Sequence, residues 1–353
     1  MHKDDQMTPK ERAFALFAGK PVDRMPIKLF SPYIGMNFGA SYQDAFVEAK
    51  SRAHWLIESY KRFGQDDLSV NYRIDGIPVA FGAASTYDAF GIPIIKESVL
   101  ENIGNVDQLD LEKLRFENDH NAQVAFDAVR YIQDELNDEI FTGVGLMGPF
   151  TTAANLAGTE KILRAMRKDK ENLHKLLDFA ADATIEVGRK FVENKIGIGL
   201  AEPTASLLSP KQFREFVIPY YVKVMDKWKE WGSHGSGFHI CGDTTKLLET
   251  FPEMGIRGIS IDSSVDIAYA KETVGDKLSI MGNVSPMEIL NGTPESIEQA
   301  VIDCFRKCWD NPRGFTIAPG CDIPVTTSLE NIDAYMRAAR KCAKYPVQPS
   351  NWE

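Results

Sequence analysis

Short apolar runs, many closing on Gly, Pro or a polar residue, alternate along the chain with longer stretches of helical period. The runs are Pro26–Phe30, Asp67–Val70, Ile140–Met147, Gly197–Leu200, Gly237–Cys241, Gly258–Ile261, Leu278–Gly282 and Phe315–Ala318. Their length and their boundaries predict strands. Helix starts fall between them. Thr8 and Glu11 form a capping box with Pro9 at the first helical position, and Ser209-Pro210-Lys211-Gln212 opens a helix running to Trp231. Thr159 and Thr293-Pro294 predict N-caps for helices over Glu160–Arg167 and Glu295–Asp310. Eight strands separated by helices, with no second compositional regime, predict the α/β class and a (β/α)8 TIM barrel. A doubly wound sheet would want a glycine-rich turn after an early strand, and none is present. The chain is therefore expected to be one domain over residues 1–353, with an insertion around 71–138 near the barrel mouth. That insertion holds Gly76, Pro78, Gly82, Gly91 and Pro93, then a helical stretch over Asn121–Glu135. Such a segment at a barrel's C-terminal face predicts a lid or substrate wall.

Composition narrows the class. The 353 residues are 44% hydrophobic, ample for a large core, and the net charge is -10 with no basic run, which excludes nucleic acid as the main partner. No stretch approaches the length of a membrane span. The first residues carry acids and an amphipathic stretch where a signal peptide would carry an apolar core. Five cysteines are odd and sparse for this length, so a cytoplasmic protein with reduced thiols is expected.

Candidate chemistry gathers at strand ends. His239 and Cys241 in GFHICGD stand two apart on a strand, so an imidazole and a thiolate aim at one point. Cys321 in GFTIAPGCD follows the last predicted strand, and together the three make a Cys2His set that suits zinc with a fourth position open. Two other readings stand beside this one: buried packing residues, or a Cys241–Cys321 disulfide, which fits a cytoplasmic chain poorly. Glu202 in GLAEPTAS is either a fourth zinc ligand that yields to substrate or a hydrogen-bonding residue of the pocket. Asp262 and Asn283, after the sixth and seventh strands, are candidates for binding a cofactor in that pocket, with helix capping as the alternative. Cys304 and Cys308, four apart on a helix, suit a core stripe, and Cys342 reads as structural. His54 and His174 lie in helices without a partner motif, and His234 reads as a loop residue.

Three stretches, HICGDT, MGNVSPMEILNGTP and GFTIAPGCDIPVTTSLENI, resemble the uroporphyrinogen decarboxylase superfamily, and within it the zinc-dependent corrinoid methyltransferases such as the methylcobalamin:coenzyme M enzymes. The resemblance runs from TPKERAFALFAGKPVDRMP through AEPTASLLSPKQFREFVIPY to the last helix. It implies a (β/α)8 barrel, Zn2+ held by His239, Cys241 and Cys321, and methylcobalamin or another corrinoid as co-substrate. One departure stands out. The family's decarboxylases carry an arginine-rich segment after the first strand for the carboxylates of a porphyrinogen, whereas here the stretch reads KLFSPYIGMNFGAS, with Lys28 and no arginine before Arg52.

The resemblance thus implies methyl transfer between a corrinoid and a small thiol such as coenzyme M. The reverse enzyme, moving a methyl from a donor onto the corrinoid, is the alternative, and a decarboxylase is a further one. Arg73, Arg214 and Arg257 are candidates for an anionic group on the thiol. No D-x-H-x-x-G signature of a built-in cobalamin domain occurs. The partners expected are a separate corrinoid protein and the thiol or methyl donor, with a homodimer as one further expectation.

Overall fold

A computed structural model describes residues 2–87 and 93–352. Among them nine strands form: β1 (Asp67–Asn71), β2 (Ala84–Tyr87), β3 (Pro93–Glu97), β4 (Phe141–Met147), β5 (Gly197–Ala201), β6 (Gly237–Ile240), β7 (Gly258–Ile261), β8 (Ser279–Val284) and β9 (Phe315–Pro319). Seven of them lie side by side in a parallel sheet, in the order β1, β4, β5, β6, β7, β8, β9. The eighth predicted strand, Pro26–Phe30, forms a stave without becoming a regular strand. Ile27 bridges Ile317 of β9 in parallel, and the Lys28 N–H donates to the Ile317 carbonyl at 3.0 Å. On its other side, the Asp66 N–H just before β1 donates to the Ile27 carbonyl at 2.8 Å. Pro26 has no N–H to give to a ladder, which keeps the pairing sparse. All eight predicted segments are thus staves of the wall of a (β/α)8 barrel.

Alternation decides what each stave shows to either side. In β5 and β6, Ile198, Leu200, Phe238 and Ile240 are buried. Phe238 lies edge-on to Tyr221 of the helix Ile218–Glu230, 5.2 Å between ring centroids, so this set faces the helical layer. The alternate positions, among them Gly199, Ala201 and His239, face the barrel interior.

The chain divides into two compact units. One comprises Met1–Val70, Asp127–Gly143 and Arg257–Glu353; its core joins Ile259, Ile280 and Ile317 to Val301, Phe305 and Tyr335 of the helices Pro294–Cys308 and Leu329–Ala343. Phe305 meets Phe315 edge-on at 5.5 Å. The other comprises Asn71–Phe126 and Val144–Ile256, where Phe150, Leu176, Phe213, Trp228 and Phe238 are fully or almost fully buried. Each such side chain withdrawn from water contributes roughly 1.5–3 kcal/mol before entropy is counted.

Two local expectations are corrected, and the insertion adds an element the sequence did not predict. The insertion carries an antiparallel hairpin, β2 with β3, whose 88–92 connection, Gly91 included, lies outside the described residues. The helix from Pro210 is broken: Pro210–Phe216 ends at Val217, and Ile218–Glu230 begins again with Pro219, which cannot donate to the Glu215 carbonyl. Thr159 is the first helical residue instead of the cap, because Gly158 at φ +97° takes the cap position. The boxes at Thr8 and Ser209 and the Thr293 cap form as predicted.

A buried charge network ties the first residues to the barrel wall. Arg12 binds Asp23 through two nitrogens and also reaches Asp66, while Arg24 grips Asp5 through two nitrogens and reaches the other oxygen of Asp66. Asp66 also accepts the Ile27 N–H at 2.7 Å, so one carboxylate orders two arginines and the first stave. Burial raises the Asp23 carboxyl, but the Arg12 guanidinium and the N–H groups of Gln6 and Met7 outweigh it and hold Asp23 well below the usual carboxylate range. Asp5 is held low in the same way, burial being outweighed by Arg24. Removing one partner strands a buried charge, so Asp66→Ala is expected to lose about 3–5 kcal/mol, read from the denaturant midpoint. Groups with depressed values stabilise the fold above their unfolded value and lose that contribution as pH falls through the folded one. The wild-type melting temperature should therefore drop steeply below about pH 4, and Asp23→Asn should flatten that limb.

Candidate metal centre

β6 delivers the first two donors. With Phe238 and Ile240 committed to the helical layer, His239 faces inward, and Cys241 follows one residue beyond the strand. His239 Nε2 stands 3.2 Å from Cys241 Sγ. Gly242, at φ +83°, turns the chain immediately after this pair, in a region a side-chain-bearing residue rarely adopts. Asp243 then accepts the Thr245 N–H at 2.9 Å, just before the short helix Thr245–Met254, whose N-cap is Thr244.

Cys321 is delivered by the end of β9. Gly320 donates its N–H to the Val284 carbonyl, and a Cβ there would lie 2.3 Å from the Ser263 nitrogen. Only glycine lets the strand end lie this close to the loop after β7. One ligand atom from each of His239, Cys241 and Cys321 lies within 4.8 Å of the other two. Cys241 and Cys321 form no disulfide in the structure, which does not support the disulfide reading of the pair.

Glu202 is not among those gathered donors. It is fully buried, and its carboxylate accepts the Phe150 N–H at 3.0 Å and the Thr151 N–H at 2.7 Å, in the first turn of the helix Pro149–Ala157. Helix N-termini attract carboxylates, and that attraction takes the oxygens the sequence reading offered to a metal. Burial pushes the Glu202 carboxyl up to about 7, against the pull of Thr151 and Phe150. Its own N–H donates to the His239 carbonyl at 2.9 Å, so it braces β6 through the backbone.

The two proposed cofactor residues are engaged in building loops. The Asn283 amide nitrogen donates to the carbonyls of Asp262 and Val265, at 2.9 and 2.7 Å, and Asp262 accepts both the N–H and the hydroxyl of Ser264 at 2.8 Å. Of the three arginines, Arg257 precedes β7 and so sits at the wrong end of its strand for chemistry at the C-terminal face. Arg214 pairs with Glu253 on the exterior. Arg73 follows β1 at the correct end, at an unusual φ of +108°, with Nε and Nη2 on Asp75 at 2.9 and 2.8 Å. Cys304, Cys308 and Cys342 are buried as read, and burial pushes the Cys304 thiol up to about 12.

The bracing role of Glu202 gives a direct test. Glu202→Ala leaves two buried N–H groups without an acceptor and opens a void, and should destabilise the protein by about 3 kcal/mol or more. Glu202→Gln keeps one acceptor and the volume, and should lose less than half as much. Metal binding measured on the folded Gln variant should equal that of the wild type. A Gln variant that folds normally but loses its metal would return Glu202 to the ligand set.

A sequence profile described as uroporphyrinogen decarboxylase (URO-D) matches residues 8–342. The methylcobamide:CoM methyltransferase MtbA of Methanosarcina acetivorans is 28% identical, over 95% of this chain and 98% of its own length. A methylated-thiol–coenzyme M methyltransferase of Methanosarcina mazei is 27% identical, over 97% of this chain and 91% of its own. A solved structure described as a methyltransferase from Methanosarcina mazei superposes with a TM-score of 0.79 over 95% of this chain and 98% of its own, at 23% identity, a likeness of fold. With a profile match running through all but the two ends, the chain belongs to the uroporphyrinogen decarboxylase (URO-D) family.

Proposed function

We propose that this protein is a zinc-dependent methyltransferase that moves a methyl group between a corrinoid, free methylcobalamin or a corrinoid protein, and a small thiol such as coenzyme M. The observation that carries the reading is the gathering of His239, Cys241 and Cys321 within 4.8 Å. Donors sharing a tetrahedral zinc at its usual bond lengths lie about 3.5–3.8 Å apart, and the 3.2 Å between His239 and Cys241 is close to that spacing. Two thiolates and one imidazole also match the softness zinc prefers, and three protein ligands are the number that leaves a position for substrate. The residues therefore fit the ion. When bound, zinc would supply Lewis acidity that favours a substrate thiol in its deprotonated form.

The residues supply the rest. β6 holds the imidazole in register with β5, Cys241 follows it directly, and Gly320 lets the end of β9 before Cys321 lie against the loop after β7. In the reaction a sulfur–carbon bond forms with the sulfur lone pair as the cobalt–carbon bond breaks. Its electron pair stays on cobalt, taking Co(III) to Co(I), and the thiol proton passes to solvent. No acid–base histidine is needed at the methyl group. The relatives named for methylcobamide:CoM transfer support this direction. The relative named for a methylated thiol supports a second reading, in which a methylated thiol donates its methyl to cob(I)alamin at the same residues.

Decarboxylation of a porphyrinogen, the activity for which the family is named, has less to support it. Lys28 is paired with Asp67 at 2.8 Å, and Arg52 is buried with its guanidinium 3.9 Å from the centroid of the Phe46 ring. No helix among the described residues is long and apolar enough to cross a membrane.

Purified protein is expected to hold about one zinc per chain by elemental analysis. Incubated with methylcobalamin and 2-mercaptoethanesulfonate, it should convert the visible spectrum to that of cob(I)alamin, and with cob(I)alamin and methylated thiols it should do the opposite if the second reading holds. Cys241→Ala and Cys321→Ala should each lose the metal and slow transfer by at least about a hundredfold. Full activity in a metal-free variant sinks the proposal.

A further inference from the structure

A cavity of about 640 Å3 opens where strands enter the barrel wall, within the first compact unit. It is lined by residues 2–6, by Arg24 and Phe63 ahead of the first stave and β1, and by the helix Leu329–Ala343. Cys321 stands beyond the opposite end of β9, so this is not the candidate metal centre. The volume falls within the range of small-molecule sites, roughly 300–1,000 Å3. The walls are cationic in a chain whose net charge is -10. Among the described residues, seven lining side chains are lysines or arginines and four are aspartates. His2 adds no charge near neutrality, because burial and the neighbouring Arg340 hold it below its ordinary value.

The aspartates are already held. Asp23 binds Arg12 and Asp5 binds Arg24, Asp333 holds Arg62 at 2.6 Å, and Asp4 stands 3.7 Å from His2. Lys341 turns to Glu298 at 2.7 Å. Lys3, Arg337 and Lys344 form no ion pair among the described residues. Arg340 is largely buried, its side chain 13% exposed, with Asp5 3.5 Å from its Nε. Its Nη2 donates to the carbonyls of Phe63 and Gly64, while Nε has no hydrogen-bond partner among the described residues. Burial and the neighbouring Arg24 outweigh Asp5 and hold Arg340 below the ordinary arginine value, as expected of a cation short of anions. The helix dipole explains only part of this. Arg340 and Lys341 lie in the last turn and more than cover its partial charge of about half a unit. Arg337 lies a turn earlier, and Lys3, Arg24 and Arg62 come from other elements.

We propose that this cavity binds a polyphosphate anion, two or more linked phosphates either free or carried by a nucleotide, received by Lys3, Arg337, Arg340 and Lys344. Arginine meets phosphate with paired N–H groups and lysine as a point charge. Linked phosphates fit better than a single one. Arg337 and Lys344 are seven residues apart, about 10 Å along the helix axis. An extended anion meets both without drawing the cations together against their own repulsion. Bound there, it would tie residues 2–6 to the helix and so stabilise the fold with occupancy. The inference stands independently of methyl transfer.

Calorimetry on the purified full chain, without added divalent cations, tests it with orthophosphate, tripolyphosphate and ATP. Tripolyphosphate should bind one per chain, at least about tenfold more tightly than orthophosphate, weaken as salt is added, and raise the melting temperature. Arg337 and Lys344 are exposed and unpaired, so the double variant Arg337→Gln/Lys344→Gln should keep the wild-type melting temperature without ligand. It should lose at least about tenfold in affinity, the scale of hydrogen bonds to charged groups. Should it fail to fold, Lys3→Gln, from the other segment, repeats the test with an expected loss of about threefold. ATP binding at least about tenfold more tightly than tripolyphosphate assigns the site to a nucleotide, and equal or weaker ATP binding assigns it to the free anion. No binding by wild type, equal affinity for orthophosphate, or undiminished affinity in the variants overturns the proposal. Polyphosphates also chelate metals, but the variants leave His239, Cys241 and Cys321 intact, so a signal from chelation would persist in them and count against the site.

Discussion

The two-residue period of β6 is the constraint from which the rest of the site follows. Phe238 and Ile240 must lie against helices, and Tyr221 and Phe251 receive the Phe238 ring edge-on at 5.2 and 6.2 Å. That anchoring leaves no freedom for the alternate positions. Gly237 and His239 have to face the interior, and a slip of one residue would bury the imidazole among helices and bring Phe238 into the barrel. The register with β5 carries the same choice sideways, since Leu200 pairs with Phe238 and Ala201 with His239. Hydrophobic burial on one face thus fixes where the His239 imidazole points on the other.

A second division of labour runs along the strands. The Arg12, Arg24, Asp5, Asp23 and Asp66 network sits at the start of β1 and clamps the segment that becomes the first stave, through both the side chain and the backbone of Asp66. His239 and Cys241 lie at the end of β6, and Cys321 just beyond the end of β9. Stabilising charges therefore occupy the ends where strands enter, and donors occupy the ends where they leave. This separation lets loop residues such as Gly242 and Gly320 adopt the geometry the donors need without loosening the barrel wall.

The staves were legible because each couples a short apolar run to a Gly, Pro or polar boundary, and His239, Cys241 and Cys321 because donor residues stand out at strand ends. Other features were illegible for specific reasons. The β2–β3 hairpin shows no buried alternation, since Ala84–Tyr87 and Pro93–Glu97 are largely exposed or half-buried. The break at Val217 had a readable signal in Pro219, outvoted by the apolar period on either side of it. Glu202 carries no mark in the sequence that it serves the helix at Pro149, because its partners are backbone N–H groups some fifty residues away. Arg257 looked close to the site only because its strand's start had not been separated from its end.

Membership in a family named for a decarboxylase leaves the reaction to be argued from charge and donors, because fold alone does not choose it. A porphyrinogen brings many carboxylates and needs cations turned towards it. The two cations named at the stretch where the decarboxylases carry arginines are already engaged: Lys28 by Asp67, while Arg52 is buried against Phe46. The donor cluster makes the opposite offer. Two thiolates and a neutral imidazole balance a divalent ion, so the centre proposed here would carry no net charge with which to attract a polyanion. Had Glu202 turned its carboxylate to the metal, the centre would have become anionic and less hospitable to an incoming thiolate. The two N–H groups that hold Glu202 at the helix start keep it away, and a hydrogen-bonding detail between β4 and β5 thereby bears on the chemistry proposed at β6.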